Sequence, residues 1–211
     1  MAIVGTQSLV LLGASVATTF GALRPGLFVL IHLFWEFGLA LYGIYIAILS
    51  YRLFFSEIRP DDVTPSLWVV VGAAAISTNA GSVLVLTDSG ISFLQSMRPF
   101  IEGMTPIIWA WGTWWIPLLL LLGIWKHVVR RIPLTYTSAL WSLVFPLGMY
   151  AEASLRLSRA EDFPLRSLSD AMLWVAFVAW AATASALAAA LWRSFADAKP
   201  SDVGAAGSSG S

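Results

Sequence analysis

The sequence predicts an all-α integral membrane protein of six transmembrane helices joined as tandem hairpins. Three observations carry this. Of 211 residues, 58% are hydrophobic and only 11% are charged, against about a quarter charged in a soluble domain. Mean hydropathy is +0.79. The apolar residues fall into six stretches of roughly bilayer-crossing length, at about 2–20, 26–54, 68–86, 103–127, 134–157 and 168–192. Helices are the form these stretches take, because a helix satisfies its own backbone in lipid.

The first stretch has no basic residues ahead of it, which argues against a cleavable signal peptide. Gly21-Ala22-Leu23-Arg24-Pro25-Gly26 then forms a tight turn. The second stretch ends at Arg59-Pro60-Asp61-Asp62-Val63-Thr64-Pro65, where Asp61 or Thr64 suits a cap and Pro65 a first helical turn. The segment Ile91 to Phe100 is apolar but too short to cross. It predicts a separate interfacial half-helix stopped at Arg98-Pro99. Lys126-His127-Val128-Val129-Arg130-Arg131-Ile132-Pro133 is a basic turn, and Arg156 to Arg166 a mixed-charge loop. Residues 1–195 thus form the membrane domain. Residues 196–211, rich in Gly and Ser, are expected to be a disordered polar tail.

Lys and Arg set the orientation. The side with both termini holds Arg52, Arg59, Lys126, Arg130, Arg131, Arg193 and Lys199. The other holds Arg24, Arg98, Arg156, Arg159 and Arg166. Seven against five, with Arg130 and Arg131 in a short loop, places both termini in the cytoplasm; the expected location is the cell (inner) membrane.

The third stretch has a small, polar centre, Gly72-Ala73-Ala74-Ala75-Ile76-Ser77-Thr78-Asn79-Ala80-Gly81. Such residues belong where helices touch closely or where a helix lines a wet path, and both readings stand. Stretches one, three and five carry small or polar residues. Stretches two, four and six are bulkier, which suggests inner and outer helices. Trp109, Trp111, Trp114 and Trp115 suit a headgroup belt or a surface between subunits.

Glu36 lies mid-span with His32 one turn earlier, on the same face. The pair is either a proton relay or a structural contact. Glu152 and Arg156 have the spacing of an ion pair. Pro146, after Phe145, bends stretch five and frees a carbonyl. Phe145 is a candidate plug for a narrow path or a core residue beside the kink. Pro117 bends stretch four.

Net charge is zero, so nothing favours nucleic acid. With no Cys and two His, no disulfide, thiolate metal site or other metal cluster is expected, nor any cofactor. Gly81-Ser82 lacks the setting of a nucleophilic serine, so no enzyme is expected.

The run Gly72 to Gly81 resembles the central helix of the tellurite-resistance/dicarboxylate transporter family, which includes bacterial TehA, yeast malate permeases and plant slow anion channels. Further stretches resemble the same family in the same order: Gly5-Thr6-Gln7-Ser8, Tyr51-Arg52-Leu53, Thr113 to Leu119, Gly123 to His127, and Phe145-Pro146-Leu147-Gly148-Met149-Tyr150. The resemblance implies five tandem hairpins around a pore, odd helices inside, assembled as trimers. The start of this chain resembles the family's fifth helix, so the chain corresponds to the last six of ten helices. It is then a fragment, a chain with a misplaced start, or a subunit that assembles with copies of itself. The resemblance also implies that Phe145 occludes the pore; His32 and Glu36 match no family motif.

The resulting expectation is channel-like transport of small inorganic anions or dicarboxylates, with Gln7, Ser8, Ser77, Thr78 and Asn79 lining a neutral path in a bilayer. A proton-coupled dicarboxylate (malate-type) carrier using His32 and Glu36 is the alternative. A non-conducting membrane subunit or fragment is the third.

Overall fold

The computed structural model describes residues 2–197. They form six α-helices: α1 (Ala2–Val16), α2 (Arg24–Phe55), α3 (Val69–Leu86), α4 (Ser92–Ile124), α5 (Trp141–Ala160) and α6 (Arg166–Asp197). No strand occurs among the described residues. From residue 198 on, the expected polar tail lies outside them.

Four segments are long and apolar enough to cross a membrane: Gly21–Phe55, Pro65–Leu86, Ser92–Val129 and Arg166–Phe195. The other two helices are marginal. The 15 residues of α1 rise roughly 22 Å, short of a hydrocarbon core of about 30 Å. The 20-residue α5 carries Glu152, Arg156 and Arg159, and Glu152 pairs with Arg156 at 2.6 Å, as their spacing predicts.

Two boundaries differ from the sequence reading. Ile91 to Phe100 is not a separate half-helix. From Ser92 it is the first part of α4, which runs through Pro99, Pro106 and Pro117. Each proline removes one backbone bond, but 33 residues of helix absorb those losses by packing along their length. At α5 the helix starts late. Residues 131–137 are irregular, and a 3₁₀ turn, Ser138–Leu140, leads into Trp141.

The hairpins α1–α2, α3–α4 and α5–α6 pack internally, and α3 packs against α1 on one side and α5 on the other. Burial follows the same division. In the most apolar 18-residue stretch of Pro65–Leu86, 83% of the residues are buried, against only 11% in that of Arg166–Phe195, so α3 is an inner helix and α6 an outer one. The cause is side-chain size. Gly112 of α4 sits directly on Ala74, Gly72 faces the ring of Pro146, and Gly81 faces Thr105 and Trp35. A larger residue at any of these points would hold the helices apart.

Polar contacts tie the loops at each end of the bundle. At one end, Lys126 Nζ donates to the Val63 carbonyl at 2.8 Å and Arg52 pairs with Asp62 at 2.6 Å. The backbone N–H of Arg59 holds the Asp62 carboxyl below the usual carboxylate range, opposed by desolvation and helped by the nearby Arg52. At the other end, Arg24 donates to the Asp88 carbonyl at 3.2 Å.

Gly81 gives a direct test of close approach. A Cβ there meets the Thr105 hydroxyl and lies 3.1 Å from the Trp35 ring, whereas one at Gly43 meets nothing within 4 Å. Gly81→Val is expected to destabilise the protein by about 1–3 kcal/mol. Gly43→Val is expected to stay within about 0.5 kcal/mol of the parent. Thermal unfolding in detergent measures both.

Candidate functional site

The centre of the bundle is organised by Trp35 of α2, which is 1% exposed. Its indole N–H donates to the Ser77 carbonyl at 3.0 Å, and its own carbonyl accepts from Gln7 Nε2 at 3.2 Å. Its ring meets Phe100 of α4 edge-on, with centroids 6.3 Å apart. One residue therefore joins α1, α2, α3 and α4. Ser77 is at the midpoint of α3, so this junction lies at the middle depth of the bundle.

Around it the buried hydroxyls divide into two kinds. Those of Ser77, Thr105 and Ser154 donate to the carbonyl one turn back, at 2.7–2.8 Å. That is the ordinary way a helix quiets a hydroxyl in an apolar setting. Thr78 and Ser82, both 0% exposed, make no such bond and have no partner among the described residues. They stand four residues apart, on one face of α3. Gln7 Oε1 and Asn79 Oδ1 are also buried and without a partner.

The two amides differ in freedom. Gln7 cannot turn over, because its Nε2 faces a carbonyl that only accepts. Asn79 Nδ2 faces only the weak acceptor Met149 Sδ, at 3.6 Å. Its amide can present either oxygen or N–H to its surroundings.

The remaining residues singled out from the sequence fall in different places. Ser8 is exposed on α1 and donates to the Val4 carbonyl. Phe145 is 44% exposed, and its ring edge and Pro146 lie against the Gly72 position of α3. His32 is buried, with Nδ1 at 2.7 Å from the Phe28 carbonyl. That nitrogen must carry the proton, since a carbonyl only accepts. No hydrogen bond joins His32 to Glu36. Glu36 instead opens on a groove between α2 and α4.

The tryptophans of α4 divide as well, and only partly fit a headgroup belt. Trp115 is fully buried and Trp109 donates to Ser154 Oγ at 2.9 Å, so both are packing residues. Trp111 and Trp114 face outward and stack on each other. Sequence reasoning missed Trp35 and Ser82. The spacing of Ser82 to Thr78 was a usable signal. Trp35 carried none beyond being bulky opposite a helix of small residues.

A bundle of hairpins around a small-residue helix, with four segments long and apolar enough to cross a bilayer, is an all-α membrane protein. The chain belongs to the voltage-dependent anion channel family, which it matches over residues 1–188, in agreement with the resemblance carried by its motifs. It is 42% identical over 149 residues to an uncharacterized membrane protein of Mycobacterium tuberculosis, covering 68% of this chain and 75% of that one. Two uncharacterized transporters of Methanocaldococcus jannaschii are 27% and 26% identical over 158 residues. Those alignments cover 74% of this chain and 44% of each transporter. No solved structure matches the chain.

The Trp35 junction is testable. Trp35→Phe removes the N–H that reaches Ser77 and leaves space beside Gly81. It is expected to cost about 1–3 kcal/mol, read as a lower unfolding temperature in detergent. Trp111→Phe, on the outer face, is the control and is expected to change little.

Proposed function

We propose that the chain contributes a channel-like path for small monovalent anions. The observation that carries this reading is the pair Thr78 and Ser82, two buried hydroxyls on one face of α3 without a partner. Burying a polar group without a hydrogen bond costs on the order of 1–3 kcal/mol. Two such groups one turn apart, with Asn79 beside them, are reasonable where a solute is to be met. A hydroxyl donor can replace part of an anion's hydration shell.

The path is neutral. No Lys or Arg lies at mid-depth on α1, α3 or α5, so an anion would be held weakly and leave readily. That favours throughput over tight binding. A carrier for dicarboxylates would be better served by an arginine or paired donors. The proton-coupled alternative needs exchange between His32 and Glu36, and no hydrogen bond joins them. Channel-like conduction is therefore preferred.

Phe145 is the proposed gate. It lies beside Pro146, whose ring removes the helix partner of the Ser142 carbonyl, and against the glycine that opens the polar run of α3. Both termini are placed in the cytoplasm, because Lys126, Arg130 and Arg131 cluster at the same end as Arg52 and Arg59. Assembly as a homo-oligomer, a trimer by family resemblance, in the inner membrane completes the reading.

Anion flux from liposomes tests it. Phe145→Ala is expected to raise chloride or nitrate flux several-fold over the parent chain. No flux from either would remove the proposal for this chain. Thr78→Lys tests the path itself. Relative permeability among anions should change if Thr78 faces it, and should stay the same if Thr78 only packs.

A further inference from the structure

Glu36 lies well inside a membrane-spanning segment, unlike Glu102 and Glu152, which pair with Arg98 and Arg156 on their own helices. It makes no hydrogen bond or salt bridge with any described residue. It is next to Trp35, whose indole reaches the midpoint of α3, so it sits at the middle depth of the bundle. It forms part of the wall of a groove of about 480 Å³ between α2 and α4, within the roughly 300–1,000 Å³ typical of small-molecule sites. The other walls are apolar or aromatic. Tyr42, Phe100 and Trp111 contribute rings, and Met104 and Ile108 line the same groove.

We propose that this groove binds a hydrophobic monovalent cation, a lipophilic amine or onium ion reached from the bilayer. One acidic group among three aromatic side chains is the chemistry such an ion requires. The carboxylate supplies the opposite charge, and the π faces attract a cation at close range. The apolar walls accept its hydrocarbon substituents. The alternatives are worse matched. A lipid chain fills the apolar walls but offers the carboxyl group no partner. An anion is repelled. A second copy of the chain offers no cation at this depth, because its Lys and Arg residues lie in loops or near helix ends. The site faces outward from the bundle and is separate from the polar centre of α3, so it does not depend on the conduction proposal.

Titration calorimetry of the purified full chain in detergent is the test, with tetraphenylphosphonium as probe. Tetraphenylborate, of matching shape and opposite charge, is the comparison. The parent should bind the cation and prefer it to the borate. Glu36→Gln should weaken cation binding by about tenfold or more and leave borate binding unchanged. Glu36→Asp, which keeps the charge, should restore most of the affinity, and Trp111→Ala should weaken it several-fold. Matching gel-filtration profiles exclude misfolding as the cause. Equal cation binding by parent and Glu36→Gln would overturn the proposal, as would absence of binding by the parent. Efficient self-cross-linking of Ala40→Cys in membranes would overturn it too, by showing a second copy seated in the groove.

Discussion

The Trp35 indole N–H on the Ser77 carbonyl is the contact on which the rest of the bundle depends. A backbone carbonyl inside a helix already accepts one bond, so Trp35 uses its second lone pair. It thereby fixes the depth of α2 against α3 without disturbing either helix. Gln7 then bonds the Trp35 carbonyl and sets α1 against α2. Phe100 meets the indole edge and sets α4. In lipid no hydrophobic force drives helices together, so packing and interhelical hydrogen bonds decide register. A bulky donor at one end and a glycine at the other, Gly81 beneath the ring, make that register specific.

The same logic explains why α3 is small. It packs against α1, α2, α4 and α5, and a helix touched by four others has room for few large side chains. Glycine and alanine lower the interhelical distance and raise contact area per turn. They also leave room for the hydroxyl and amide groups at 77–79 and 82. Stability alone would favour hydroxyls that bond their own carbonyls, as Ser77 does. Thr78 and Ser82 do not, and the cost is justified if the face they share meets a solute.

Much of this was legible in the sequence. The hairpin order, the inner position of α3 and the Glu152–Arg156 pair follow from apolar length, residue size and spacing. What was not legible has physical reasons. Pro99 reads as a stop because proline usually ends a helix, yet α4 continues because tertiary packing outweighs one lost backbone bond. The late start of α5 is hidden because 134–140 is apolar enough to resemble helix but does not pack as one. His32 and Glu36 share a face by spacing. Spacing is silent on rotamers, and His32 bonds its own helix while Glu36 turns to the α2–α4 groove. Orphaned hydroxyls cannot be told from bonded ones in a sequence, because Ser77 and Ser82 look alike there.

The edge of the bundle sharpens the contrast. Along α1, Gly5, Ser8, Leu12 and Ser15 are exposed, a face that is small and partly polar. The hydroxyls there are quiet: Ser8 donates to Val4 and Ser15 to Leu12, at 2.8 and 2.7 Å. Such a face can meet lipid or another helix at little cost, because no donor is left over. Buried atoms without a partner occur near the depth of Trp35, on Gln7, Thr78, Asn79 and Ser82, and also on Trp115, Arg24 and Glu161. The serine hydroxyls on the outer face of α1 are thus satisfied within their own helix, whereas those of Thr78 and Ser82 in the core are not. The proposed path along α3 would call for such a difference between the outer face of α1 and the face shared by Thr78 and Ser82.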